Sequence, residues 1–281
     1  MNSIADSDAY FNPERMLVQH QAALTLLQGM LADPNSSTLD WLDLACGRGQ
    51  VISHLKDNIS DNHRKKIRYC GYDIDNNHSR NAAQVAESLE LGDARFDIGE
   101  ISRFSDVLPN ELSFDFITLT NTVHEIIPVR LSGILFDCIN RLSPNGSLFI
   151  YDMDKLPSPE LGAVLWSTVE IKSVIATLCA QLGASEYEPA IGQWQHSSCN
   201  GWNVQIKRSH LSIPEEIADK REAAVMATAE RIQALLTSKL QQTRGALESL
   251  TKFGAGTGNE ASDKESYLYS YWALTRAQEA K

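Results

Sequence analysis

The segment WLDLACGRGQ, residues 41–50, decides the fold. Trp41, Leu42, Leu44 and Ala45 belong to an apolar run of strand length, Gly47 and Gly49 turn the chain, and a helix follows to about Lys56. Strand, glycine turn and helix open an α/β sheet, whose ligands bind at the carboxyl ends of the strands beside the switch in strand order. The two glycines let the backbone approach a ligand with no Cβ in the way. NAD is the first ligand to weigh, and the surrounding residues argue against it. Gln50, Val51 and Ile52 follow the GxG, so the third glycine of GxGxxG is missing. Asp43, just upstream, would repel a pyrophosphate. The same carboxylate favours a cationic group, an ammonium or a sulfonium, directly or through water.

Strand-like and helix-like segments alternate around this point. A helix over residues 13–32 has Asn12 as N-cap and Pro13 at its first position. Strands are expected over 39–45, 66–73, 94–99, 113–120 and 147–153, with helices over 81–91 and 129–142 and a turn at 144–146. Repeated β-then-α units of this length imply a doubly wound parallel sheet with helices on both faces. The pattern then changes. Residues 156–162 form a turn-rich joint, a helix fills 163–182, and 184–190 and 202–208 read as two strands closing one edge. Pro214 opens a long helix to about Leu250, 254–263 reads as a flexible linker, and a short aromatic helix covers 266–277. Three regions follow: an N-terminal helical lid over 1–38, a central α/β domain over 39–210, and a C-terminal helical extension over 211–281.

The downstream acids fit a nucleoside. Asp73, in GYDID at the end of the second strand, lies 26 residues after Gly47, and a carboxylate there can accept hydrogen bonds from both ribose hydroxyls. Asp97, in FDIG at the end of the third, is placed to accept from an adenine amino group while Ile98 packs on the ring. The motifs DLACGRG, GYDID, FDIG, FDFITLTNTVHEI and LSPNGSLFIYD, in that order, resemble those of the class I S-adenosylmethionine-dependent methyltransferases. The resemblance covers about residues 39–210. It implies a Rossmann-like seven-stranded sheet with an antiparallel edge strand, and S-adenosyl-L-methionine as the cofactor. It further implies that Asp43, Gly47 and Gly49 line the methionine end, Asp73 holds the ribose, Asp97 the adenine, and Thr120 and Asn121 flank the sulfonium, with Ala45, Ile74 and Ile98 also in the cofactor site.

Methyl transfer is an in-line displacement on a donor already activated by its own charge, so alignment supplies much of the rate. His124, in TNTVHEI just beyond the fourth strand, is the candidate catalytic residue. Its place resembles the HD pair of plant-type O-methyltransferases, with Glu125 here in place of Asp. Three roles are open to it: a base, a contact to substrate or cofactor without proton transfer, and a cap on the strand end. Asp152 and Asp154 follow the fifth strand and either face the pocket or belong to a solvated loop, the reading preferred here. Tyr10 and Phe11 are placed for a lid, and Trp194 and Trp202 for an aromatic lip. His196 and Cys199 lack a nearby pair to complete a metal site, so no metal is expected.

Composition narrows the function classes. Of 281 residues, 43% are hydrophobic and 22% charged, which is ordinary for a globular protein. No apolar run reaches membrane-spanning length, and the N-terminus lacks the basic region of a secretory signal. Five scattered cysteines without a CxxC fit reduced thiols in a cytoplasm. The net charge of -11 is concentrated in the first 210 residues, with 16 basic and 26 acidic residues against 9 and 10 in the rest. That balance and the isolation of the basic run at 63–68 argue against a nucleic-acid partner. The expected activity is methylation of an oxygen or nitrogen of a small molecule. The alternatives are a methyltransferase of a protein or RNA, and a non-catalytic donor-binding subunit. Val225, Ala229, Ile232, Leu236 and Leu240 share one face of the long helix, which either covers the same chain or forms a homodimer surface.

Overall fold

A computed structural model describes residues 18–33, 37–195, 199–211, 217–254 and 258–280. Asn12, Pro13, the lid candidates Tyr10 and Phe11, His196 and Pro214 lie outside these. Seven strands form one sheet: β1 (Leu39–Leu44), β2 (Ile67–Asp73), β3 (Asp93–Ile98), β4 (Phe114–Thr120), β5 (Leu142–Lys155), β6 (Ile191–Gln195) and β7 (Asn200–Lys207). Their order is β3-β2-β1-β4-β5-β7-β6. β1 pairs in parallel with β2 and β4, and β2 with β3, whereas the edge strand β6 runs antiparallel to β7. The strand order reverses between β1 and β4, which sets the switch point beside the glycine turn. The longer helices are α1 (Val18–Leu31), α2 (Asn76–Ser88), α3 (Pro128–Asn140), α4 (Thr168–Leu182), α5 (Arg221–Phe253) and α6 (Gly258–Glu279). No helix among the described residues is long and apolar enough to cross a membrane.

The chain divides into two compact units. The first takes the residues up to 120, with 141–150 and 206–209. Its core is built on β1, β2 and β4, where Trp41, Leu42, Leu44, Tyr69, Phe116 and Ile117 are buried. Trp41 meets the Tyr69 ring edge-on at 5.1 Å between centroids. Ahead of β2, Asp61–Arg64 is a helical turn, and Arg64 of the basic run is buried. Its guanidinium donates to the carbonyls of Ile59, Lys56 and Leu89 and to Asp61, closing the chain between the two strands. Arg141 does the same ahead of β4, donating to the carbonyls of Ser105, Leu108, Pro109 and Leu112. The turn expected at 144–146 is part of β5 instead. A Cβ on Gly146 would stand 2.6 Å from the Phe114 carbonyl, so only glycine lets the backbones approach there.

The second unit takes residues 121–140, 151–205 and 210 onward. α4 begins in a capping box in which Ser167 and Glu170 satisfy each other's backbone N–H groups. The edge strand is residues 191–195 rather than the expected 184–190, which β7 does not pair. α5 packs on α3, α4 and α6, and buries Ala224, Thr228, Ile232, Leu236 and Thr243. The buried face is thus shifted from the expected one, which keeps only Ile232 and Leu236. Arg221 pairs with Asp137 at 3.0 Å and Lys239 with Glu170 at 2.8 Å, fixing α5 on α3 and α4. Residues 258–263, expected in the linker, are the first turns of α6.

Candidate active site

In the first unit, the donor-site candidates gather where β1, β2 and β3 end. After Leu44, Ala45 takes a positive φ of 54° and Gly47 and Gly49 take 55° and 84°. The turn is tight on both sides: a Cβ on Gly49 would lie 3.1 Å from the Ala82 Cα of α2. Two bonds tie it to β2. The Cys46 N–H donates to the Tyr72 carbonyl at 3.1 Å, and the Gly47 N–H donates to Asp73 Oδ2 at 2.8 Å. Asp73 Oδ1 accepts from the Asp75 N–H at 2.9 Å and lies 3.4 Å from His78 Nδ1. Asp75 in turn caps α2 through the Asn77 N–H at 2.7 Å. One carboxylate therefore sets both the glycine turn and the start of α2. Each of its oxygens keeps lone-pair capacity for a further donor.

Asp43 is almost fully enclosed, at 1% exposure. The Thr118 hydroxyl donates to its Oδ1 at 2.6 Å and the Tyr69 hydroxyl to its Oδ2 at 2.8 Å, while Trp41 Nε1 donates to Thr118 Oγ1 at 2.8 Å. Burial pushes its pKa from 3.8 to about 6, against the two hydroxyl bonds and with help from the Asp73 charge. Asp97 lies 3.4 Å from Arg95 Nε and keeps about a third of its side chain exposed. Beside these acids, Ile74 and Ile98 stand exposed at 71% and 49%, an uncovered apolar pair at the ends of β2 and β3. Thr120 is the last residue of β4.

In the second unit, Asn121 takes a positive φ of 54° and donates its N–H to the Tyr151 carbonyl at 2.8 Å. His124 is buried at 4% exposure and gripped by Asp152. Its Nδ1 lies 2.6 Å from Asp152 Oδ1, and its own N–H donates to Asp152 Oδ2 at 2.8 Å. The His124 carbonyl accepts from the Val164 N–H at 2.8 Å. The other ring nitrogen, Nε2, has Glu160 Oε2 at 3.4 Å and Glu125 Oε1 at 3.9 Å. Burial opposes the imidazolium, but the bonds to Asp152 and Glu160 and the charges of Asp152 and Glu125 outweigh it and lift the pKa from 6.5 to about 10. At neutral pH this ring gives a hydrogen bond from Nε2 rather than taking a proton.

Sequence reading placed Asp152 in a solvated loop. It is 1% exposed and is the residue that fixes His124. The available signal was an acid directly after the apolar run of β5. Glu160 sits inside the turn-rich joint, where no local pattern marks it. Trp202 belongs to the core, its Nε1 donating to the Trp166 carbonyl at 2.8 Å, whereas Trp194 stacks on Tyr151 at 6.1 Å between centroids.

Residues 42–148 match the family model of a methyltransferase domain. No curated protein matches the chain in sequence. Solved structures similar to it include the magnesium protoporphyrin IX methyltransferase of Synechocystis PCC 6803 with bound S-adenosylmethionine, at 15% identity and a TM-score of 0.47, covering 68% of this chain and 79% of that one. The N-methyltransferase NodS of Bradyrhizobium japonicum WM9 is 14% identical with a TM-score of 0.48, covering 67% and 96%. An O-methyltransferase family protein of Burkholderia thailandensis is 16% identical with a TM-score of 0.42, covering 66% and 57%.

Proposed function

We propose that the chain, whose residues 42–148 match the family model of a methyltransferase domain, is a class I S-adenosylmethionine-dependent methyltransferase that methylates an oxygen or nitrogen of a small molecule. The observation that carries the donor half is the Gly47–Asp73 link, a positive-φ glycine turn held by a carboxylate at the end of the neighbouring strand. In this reading Asp73 accepts from the ribose hydroxyls and Asp97 from the adenine amino group. Ile74 and Ile98 cover the adenine ring, which accounts for two isoleucines left exposed beside acids. Ala45, Gly47 and Gly49 offer backbone to the methionine end, and the Asp43 charge acts there on the ammonium and sulfonium. Thr120 and Asn121 carry the sulfonium contacts.

His124 is the catalytic residue of this proposal. Held protonated, it serves the acceptor by positioning it for in-line attack rather than by abstracting its proton. The acid excess of the first 210 residues supports a small-molecule acceptor over RNA. Five buried free thiols support a cytoplasmic setting. The exposed Tyr267, Leu268, Tyr271 and Trp272 of α6 support a homodimer through the C-terminal helices, which light scattering of the full chain tests. The activity is tested by incubating the chain with methyl-labelled donor and separate small-molecule, protein and RNA fractions. Label is expected in the small-molecule fraction. Label in protein or RNA would move the acceptor to that class, and donor binding without transfer to any fraction would make the chain a donor-binding subunit.

A further inference from the structure

Glu125 and Glu160 have no task in methyl transfer as described, yet both face the buried nitrogen of His124. The Nε2 of the ring and one carboxylate oxygen from each glutamate lie within 4.8 Å of one another, with Nε2 3.4 Å from Glu160 and 3.9 Å from Glu125. Ligand atoms each about 2.0–2.2 Å from a shared ion stand up to about 4 Å apart. Rotation of two exposed glutamate side chains closes the remaining gap. The histidine is not part of that adjustment. Asp152 takes its Nδ1 at 2.6 Å and its N–H at 2.8 Å, Met153 donates to the same carboxylate at 2.6 Å, and Val164 holds the His124 carbonyl at 2.8 Å. A carboxylate on one ring nitrogen fixes the hydrogen there and orients the ring, as it does for metal-ligating histidines, and an ion taking Nε2 would displace the proton that this nitrogen otherwise shares with Glu160.

The surroundings suit an ion as well as the geometry does. The ring is buried, whereas Glu125 and Glu160 are 64% and 49% exposed along their side chains, so the open side of the cluster is reached from solvent. Three carboxylates, counting Asp152, converge on one imidazole, a concentration of negative charge that a dication offsets. One imidazole nitrogen with two carboxylates suits a first-row transition ion over magnesium or calcium, which prefer oxygen throughout.

We propose that His124 Nε2, Glu125 and Glu160 bind one divalent transition-metal ion, with Asp152 as the positioning residue, and that the ion holds an oxygen of the methyl acceptor. Three protein ligands leave coordination positions open for that oxygen. Coordination would lower the pKa of an acceptor hydroxyl, its proton passing to solvent as the oxygen takes the methyl group and S-adenosylhomocysteine leaves. This rests on the methyltransferase reading and narrows the acceptor to a small molecule that offers a hydroxyl oxygen.

The test uses the full, untagged chain, stripped with a chelator and dialysed. Zn2+ is titrated by calorimetry and Mn2+ by the loss of its free electron-spin signal. One equivalent of ion is expected per chain. Glu125→Gln and Glu160→Gln should each weaken binding by about 10–100-fold, with the circular dichroism of the fold unchanged because both side chains are exposed. Binding of less than a stoichiometric amount, or equal affinity in the Glu125→Gln/Glu160→Gln double variant, would overturn the site. S-adenosylhomocysteine is titrated into the same samples. A chain that takes the nucleoside but no ion defeats this inference alone, whereas one that takes no nucleoside defeats the methyltransferase reading beneath it.

Discussion

Asp73→Ala is the perturbation that acts on both the glycine turn and the proposed donor site. The carboxylate receives the Gly47 N–H at 2.8 Å and the Asp75 N–H at 2.9 Å, and each bond to a charged acceptor contributes about 1.5–3 kcal/mol. Their loss loosens the glycine turn and the entry to α2, at a cost to stability of about 3–5 kcal/mol if the freed N–H groups are rehydrated in part. The ribose hydroxyls would lose the same acceptor. Two charge-assisted bonds exchanged against water amount to about 2–3 kcal/mol, so the dissociation constant of S-adenosylhomocysteine should rise by about 30–150-fold. Calorimetry on the folded variant reads this directly, and a 2′-deoxy analogue provides the internal control. The analogue should bind more weakly than the parent nucleoside to the wild-type chain and about equally to the variant. A folded variant with wild-type affinity, or one that still discriminates the 2′-hydroxyl, would refute the assignment of Asp73 to the ribose.

Under the proposed donor assignment, Asp43 should make donor binding sensitive to pH. Its charge is lost below about 6, so affinity for S-adenosylmethionine should fall by up to about tenfold per pH unit below that point, and Asp43→Asn should abolish the dependence while lowering affinity above it. The donor-free fold behaves in the opposite sense. A carboxyl raised from 3.8 to about 6 favours the native state below its unfolded value, and about 3 kcal/mol of that stability is lost as pH rises through 6. His20, tilted against His54 at 5.1 Å between ring centroids and driven from 6.5 to about 4 by burial and then by the His54 charge, offsets this. Its contribution, also about 3 kcal/mol, is present above 6.5 and is lost as pH falls through 4. Thermal melts of the wild-type chain should therefore be nearly flat between pH 4 and 6.5, Asp43→Asn should lose stability on acidification, and His20→Gln should gain it; parallel profiles for all three chains would disprove the account. His124→Gln should lower kcat by about 100-fold or more with donor affinity unchanged, and undiminished turnover would leave His124 a structural residue.

The proposed donor half of the site is legible in the sequence because its signals are local. Asp43, Gly47 and Gly49 follow one another at the end of one apolar run, and Asp73 and Asp97 end the next two. The acceptor half is not. Asp152 and Glu160 lie 28 and 36 residues beyond His124, and only the fold brings them to its ring. The errors in the fold have a similar cause. Residues 191–195 are largely exposed on the sheet edge, so they show no clean apolar alternation, whereas the preceding segment does not pair with β7. In α5, the expectation favoured the large Val225 and Leu240, but close packing on neighbouring helices selects Ala224, Thr228 and Thr243. α2 starts at Asn76, earlier than its apolar pattern, because Asp75 caps it.

The central claim is that the β1–β2–β3 ends hold S-adenosylmethionine and not a dinucleotide. Calorimetric titration of the full chain with S-adenosylhomocysteine and, separately, with NAD tests it most directly. The account predicts one equivalent of S-adenosylhomocysteine bound and no heat from NAD. Saturable binding of NAD with none of S-adenosylhomocysteine would contradict it.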